Sequence, residues 1–297
     1  MKKSAVIRLI IWSFTALLLT AVLVVTLVFT GGGRGLLGGF SLSFGGRYPD
    51  AASYTVGGGS VSERITSLSV EWYGGSIEVS AYGGDTVEIS ENGAGSDEDD
   101  ALRYRVTGGR LEIKPRKSEW LFAFGSFKDK ELTVKIPSAF MEDFRGLKID
   151  STTADIYLDG ISASGSVEIE NVSGEITAEN ITARSFECDT VSGGVSVLGA
   201  VSRFTFDSVS GDARLDNSVA LSELEADTVS GDVTLILPEN SGFEIEFDSV
   251  SGELECDFPL VSRDGEKICG AGGAEFSADS VSGDLVIRKN SGAGTVY

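Results

Sequence analysis

Residues 206–215 read Phe206-Asp207-Ser208-Val209-Ser210-Gly211-Asp212-Ala213-Arg214-Leu215, and the Val-Ser-Gly-acid phrase at their centre decides the fold. It returns as Val172-Ser173-Gly174-Glu175, Val191-Ser192-Gly193-Gly194, Val229-Ser230-Gly231-Asp232, Val250-Ser251-Gly252-Glu253 and Val281-Ser282-Gly283-Asp284. Successive serines lie 19, 18, 20, 21 and 31 residues apart. Such spacing is one coil of a β-solenoid rather than a helical repeat of thirty-odd residues.

Overlaid without gaps, the repeats align an apolar column at Ile149, Ile169, Cys188, Phe206, Ala226, Phe247 and Ala278, which predicts seven coils stacked in chain order. After each turn a second column follows at Ile176, Val195, Ala213, Val233, Leu254 and Leu285. Two residues later Ala178, Val197, Leu215, Leu235, Cys256 and Ile287 join it, and a period of two puts them all on the inner face. Phe206 and Val209 are both apolar though three apart, so a bend is expected at Asp207-Ser208. At about 4.8 Å per level, seven coils make a rod roughly 34 Å long. No coil buries its apolar face alone, so neighbours share one core.

The glycines of the turns, Gly174, Gly193, Gly211, Gly231, Gly252 and Gly283, are expected where the backbone takes positive φ. The serine before each and the acid after it are expected to bond nearby backbone groups. A structural role is the simpler reading, since a catalytic phrase has no use for six copies.

Upstream, Met1 to Arg8 carry three cations, and Leu9 to Thr30 then run uncharged for 22 residues, the length of one membrane-spanning helix. Bulky residues fill Val24 to Thr30 where a cleavage site would need small ones, so an uncleaved signal anchor is expected, with residues 1–30 as basic cytoplasmic tip and span. Residues 31–60 are rich in glycine and read as a flexible linker. Residues 61–148 read as irregular β-coils and a cap, with a hairpin around Gly108-Gly109 and a helical turn near Ser138 to Phe144; the regular solenoid fills 149–297. The fold class is therefore all-β, a single-domain parallel solenoid of about 18–21 residues per coil behind one transmembrane helix.

The chain has no histidine, which removes Ser-His-Asp and Cys-His nucleophiles, His-ligated zinc and imidazole acid–base chemistry. Three of the 24 Lys and Arg precede the span and none of the 45 acids does, leaving a formal charge near −24 on the rest. Such a surface repels nucleic acid and anionic headgroups and suits basic partners, divalent cations or plain solubility.

Stacking like over like builds two acid rows. One holds Asp150, Glu170, Asp189, Asp207, Asp227, Asp248 and Asp279; the other holds Asp155, Glu175, Asp212, Asp232, Glu253 and Asp284. Two carboxylates about 4.8 Å apart repel by roughly 0.9 kcal/mol in water, so something must offset the repulsion. Backbone hydrogen bonds are one answer. Loosely held Ca²⁺, with Asp207, Asp227 and Asp248 as candidate ligands, is the other. Cys188 is expected inside the core, three coils from Cys256, and a Cys256–Cys269 disulfide would pin the insertion in the last repeat interval. Trp120, Phe122, Phe124 and Phe127, flanked by Lys114, Arg116, Lys117, Lys128 and Lys130, form either a docking patch or a lid over the rim of the core.

Leu132-Thr133-Val134-Lys135-Ile136-Pro137 followed by Leu147-Lys148-Ile149-Asp150, the serial Val-Ser-Gly-acid turns, and Val233-Thr234-Leu235-Ile236-Leu237-Pro238 carry a resemblance. They resemble the bacterial β-strand-repeat family of unknown function labelled "putative adhesin", over Ile65 to Ile287. The resemblance implies a β-helix tethered by an N-terminal helix and brings no ligand and no functional residues. The preferred reading is a non-enzymatic, membrane-anchored module outside the cytoplasm, binding an envelope polymer or a protein. One alternative is a polysaccharide-active β-helix enzyme with Asp/Glu pairs as acid and base. Another is a scaffold that associates through its ends, since the chain stops thirteen residues after the last turn motif without an obvious cap.

Overall fold

The computed structural model describes residues 51–93, 100–115, 130–263 and 266–290. Leu9 to Thr30, most of the glycine-rich stretch, and Trp120, Phe122, Phe124 and Phe127 lie outside them. Among the described residues no helix is long and apolar enough to cross a membrane.

Among the described residues nine coils stack, each giving one strand to a first face and one to a second. Coil 1 is Ser67–Glu71 with Gly74–Tyr82, coil 2 is Arg110–Lys114 with Glu131–Pro137, and coil 3 is Gly146–Ser151 with Thr153–Asp159. Coils 4 to 6 run through the long strands Ser162–Asn171, Ile176–Thr190 and Val195–Ser208 and end in Ala213–Asn217. Coil 7 is Glu223–Thr228 with Val233–Leu237, coil 8 is Phe243–Ser249 with Leu254–Cys256, and coil 9 is Ala274–Ser280 with Leu285–Lys289. Parallel register sets Ile149, Ile169, Cys188, Phe206 and Ala226 over one another, as the sequence columns predict, and Val70 extends the column. All six are buried.

The order of stacking departs from chain order at both ends. Ala226 of coil 7 faces Ala278 of coil 9, which in turn faces Phe247 of coil 8. Val70 of coil 1 likewise lies between Ile113 of coil 2 and Ile149 of coil 3. The levels therefore run 2-1-3-4-5-6-7-9-8. A repeat pattern specifies which residues stack but not which copy meets which. The 31-residue serine interval supplies the chain that lets coil 9 turn back one level. Cys256 thus sits four levels from Cys188 rather than three, about 19 Å along the axis.

Antiparallel strands cover both faces at one end and the first face at the other. At one end Arg103–Thr107 pairs with the edge of Arg110–Lys114 and Val87–Asn92 with the edge of Glu131–Pro137. Thr55–Val56 and Gly59–Val61 pair outside these, so two strands lie within or reach into the stretch expected to be linker. The predicted hairpin at Gly108-Gly109 is present, with both glycines at positive φ (60° and 79°) as a tight turn requires. At the other end Glu266–Cys269 pairs antiparallel with Phe243–Ser249, and Leu260–Arg263 pairs with it in turn. The final coil is thus internal, so the last turn motif does not lie at the end of the stack.

Aromatic rings fill the core of coils 5 and 6 and of coils 8 and 9: Phe186 and Phe204 lie 6.1 Å apart, and Phe243 stacks on Phe276 at 4.6 Å. Buried Asn217 closes a gap where coil 6 leaves the sheet. Its Nδ2 donates to Val201 O (2.8 Å) and Val219 O (2.9 Å), and its Oδ1 accepts from Val201 N (2.8 Å). A buried backbone amide and carbonyl are thereby satisfied.

Candidate functional site

The repeated corner is the most regular feature of the surface. The bend expected at Asp207-Ser208 falls at 209–212 instead, because the strand runs on through Ser208, which is fully buried. The turn valines lie outside the fully buried core: five are half-buried and Val250 is 65% exposed. The inward position is taken by Asn171, Thr190, Ser208, Thr228, Ser280 and Ser249, all buried or nearly so. Ser208, Ser249 and Ser280 Oγ each accept the amide of the turn glycine three residues on, at 2.7 Å. The turn serines Ser192, Ser210, Ser230, Ser282 and Ser251 donate through Oγ to the valine carbonyl one level before.

Of the six turn glycines only Gly174 has positive φ, at 116°, so the conformational explanation fails for the other five. Their reason is steric. A Cβ on Gly193, Gly211, Gly231, Gly283 or Gly252 would fall onto the carbonyl oxygen of the turn glycine at the preceding level of the stack. The corners stack backbone on backbone, with no room for a methyl group.

The second acid row is tied down by backbone hydrogen bonds, as one of the two sequence readings expects. Asp155 Oδ1 accepts Glu175 N (2.9 Å), Asp212 Oδ1 accepts Asp232 N (2.9 Å), Asp232 Oδ1 accepts Asp284 N (2.8 Å) and Asp284 Oδ1 accepts Glu253 N (2.7 Å). These four carboxylates thus each rest on the next level's amide.

The first acid row differs. In spatial order it runs Glu71, Asp150, Glu170, Asp189, Asp207, Asp227, Asp279 and Asp248. Cations meet only its start: Lys114 Nζ lies 2.6 Å from Glu71, and Lys148 Nζ lies 3.2 Å from Asp150 and 2.6 Å from Glu170. Burial works against the charge of Lys148, yet the two carboxylates outweigh it and hold its pKa above the ordinary range. From Asp189 onward no cation pairs with the row among the described residues. Burial, with Asp189, Asp227 and Glu225 alongside, pushes Asp207 up to about 7. Burial, with Asp227, Asp248 and Glu246, pushes Asp279 to about 6. Asp189 and Asp227 move the same way, mainly by burial.

A pH dependence of stability follows. These carboxyls ionise near pH 4 in the unfolded chain and later in the folded one, so the native state holds more protons between pH 4 and 7 and loses stability as pH rises through that window. Thermal melts are expected to show a lower Tm at pH 8 than at pH 5, and Asp207→Asn is expected to raise Tm at pH 8 and flatten the profile. An unchanged profile in that variant would refute the ladder as its origin.

The other expected sites fare unevenly. Asp207 and Asp227 are adjacent, but Asp279 separates Asp248 from them, so the three calcium candidates do not form one group. Among the described residues no cluster of metal-ligating side chains has the geometry to hold an ion. Cys188, Cys256 and Cys269 are free thiols. The expected Cys256–Cys269 bridge is not formed, since Cys269 faces Phe243 on the first face while Cys256 faces Ile287 on the second. Cys269 Sγ donates instead to Ser241 O at 3.6 Å. Lys130, expected beside the aromatic patch, is 5% exposed with its Nζ 2.7 Å from Glu91, and so cannot serve a docking surface. Sequence reasoning missed the inward Ser/Thr/Asn row, although a small polar residue three places before every turn glycine was its signal.

No curated protein matches the chain. A putative cell adhesion protein from Clostridium sporogenes is 14% identical over 78% of this chain and 100% of its own, with a TM-score of 0.36. A putative adhesin from Bacteroides fragilis is 13% identical over 78% of this chain and 97% of its own, with a TM-score of 0.45. A putative lipid binding protein from Parabacteroides distasonis is 15% identical over 78% and 96%, with a TM-score of 0.36. Similarity this distant says nothing about a ligand. The family model described as Toastrack DUF4097 matches residues 65–288, and the chain belongs to that family.

Proposed function

We propose that the protein is a non-enzymatic binding module, held outside the cytoplasm by the span Leu9 to Thr30, whose first acid row takes up a cationic component of the cell envelope. One observation carries the reading. Five successive levels, Asp189 to Asp248, present carboxylates without a paired cation among the described residues, and at Asp189, Asp207, Asp227 and Asp279 burial, with neighbouring carboxylates, raises the pKa. A partner bearing positive charge at matching intervals would relieve it and would displace the retained protons. The raised pKa is shared along the row rather than confined to one residue, so it does not mark out a general acid.

The test is co-sedimentation of the full-length protein with purified envelope fractions across a salt series. Retention that falls with rising salt, and that drops in the triple variant Asp207→Asn, Asp227→Asn, Asp279→Asn, is the expected result. Retention unaffected by salt or by the triple variant would overturn the reading. Placement outside the membrane is checked by adding protease to intact cells: full protection of residues 51–290 would refute it.

A further inference from the structure

The second face carries one departure from its own repeat. Wherever the acid after the turn is present its carboxylate joins the row, but coil 5 has Gly194 there. The gap between Glu175 and Asp212 is the floor of an open depression of about 500 Å³. A second depression of about 370 Å³ adjoins it through Glu175 and Thr177, and the two together line one strip of this face, the groove, across six levels from Ser76 to Thr234. A Cβ on Gly194 would meet Glu175 Oε2 at 2.6 Å, which places that carboxylate over the notch. Glu175 Oε accepts no hydrogen bond from the described residues, unlike Asp155, Asp212, Asp232 and Asp284 in the same row.

Along the groove the register sets Tyr157, Thr177, Ser196, Arg214 and Thr234 in one outward row, one residue per level. Tyr157 is 38% exposed, and its hydroxyl donates to Glu179 Oε2 at 3.1 Å, which orients the ring. Arg214 makes no ion pair among the described residues. The row thus offers an oriented aromatic face, three hydroxyls and a free guanidinium at steps of about 4.8 Å, close to the rise of one pyranose unit in an extended glycan. An aromatic face accepts the C–H side of a sugar ring, while hydroxyls, a carboxylate and a guanidinium bond its hydroxyls. Four carboxylates besides Glu175 border the groove against the single Arg214, so a uronate chain would be repelled.

We propose that this groove binds a linear glycan free of acidic groups, lying along the rod axis and seated in the notch at Gly194. The site is separate from the acid row of the first face, so the two readings stand or fall independently.

Saturation-transfer NMR and calorimetry on the full-length protein in a sugar-free nonionic detergent provide the test, with hexamers of β-1,4-linked glucose, N-acetylglucosamine and galacturonate as probes. Binding of a neutral hexamer, at least tenfold tighter than the galacturonate hexamer, is expected. Tyr157→Ala should weaken it at least tenfold, and Gly194→Asp, which installs the residue type most other levels carry, should do the same by closing the notch. Asp207→Asn should leave it unchanged. Failure of both neutral hexamers to bind, equal binding of galacturonate, or full binding by a folded Gly194→Asp variant would each overturn the proposal.

Discussion

Gly231→Ala is expected to destabilise the protein by at least about 3 kcal/mol, the upper range for overpacking, because the obstacle is backbone on both sides. The new Cβ would land on the carbonyl of Gly211, and the carbonyl of Gly231 itself fills the space beside Gly283. Coil 7 would have to lift away from coil 6, stretching Ala213 N→Asp232 O (2.8 Å), Ser230 N→Val209 O (3.1 Å) and the bond from Asp232 N to Asp212. Because coil 9 presses from the other side, the strain has nowhere to go. Gly252 meets the same contact with Gly283, but its coil is the outermost level and can yield on its free side, so Gly252→Ala should cost less. Gly83, where an added methyl would meet nothing within 4 Å and φ is not positive, supplies the neutral control. Urea titrations should rank the three variants 231 > 252 > 83. Equal midpoints for Gly231→Ala and Gly83→Ala would show that the corners are not stacked backbone on backbone.

The period of the coils was legible because parallel stacking leaves a residue-by-residue trace: like must lie over like, and Ile169, Cys188 and Phe206 do. Stacking order left no trace. Phe247-Asp248-Ser249 and Ala278-Asp279-Ser280 are interchangeable as neighbours of Ala226-Asp227-Thr228, so only the path of the connecting chain decides between them. The entry strands were hidden for a different reason. Glycines at 57–59 look like a tether, yet Gly58 and Gly59 are small because Ile89 O and the Tyr104 hydroxyl lie where a Cβ would be. The groove of the second face was visible in principle as the one glycine in a column of acids, but its partners Tyr157, Thr177 and Arg214 share a row only once the register across the faces is known.

Lys130→Met is the other substitution expected to act strongly, at about 3–5 kcal/mol, the usual cost of leaving a buried charge without its partner. Lys130 joins three parts of the closed end. Its Nζ donates to Glu91 Oε1 (2.7 Å) and to Asp100 O (2.5 Å), while its own carbonyl accepts Ser76 N (3.0 Å). Glu91 in turn accepts Leu102 N at 2.8 Å, so the ion pair holds the strand Val87–Asn92 and the segment before Arg103–Thr107 against coil 2. Both side chains are almost wholly buried, and removing the ammonium alone strands the carboxylate there. The double variant Lys130→Met, Glu91→Leu removes both charges and should recover most of the loss. Only Leu102 N and Asp100 O then lose a partner, and each is a neutral backbone group. Because this pair fastens the end cap rather than the middle of the rod, hydrogen exchange should speed up first in 87–92 and 100–107 while the amides of coils 5 to 7 keep their protection. Uniform loss of protection along the rod in Lys130→Met would mean that the cap and the stack unfold as one unit.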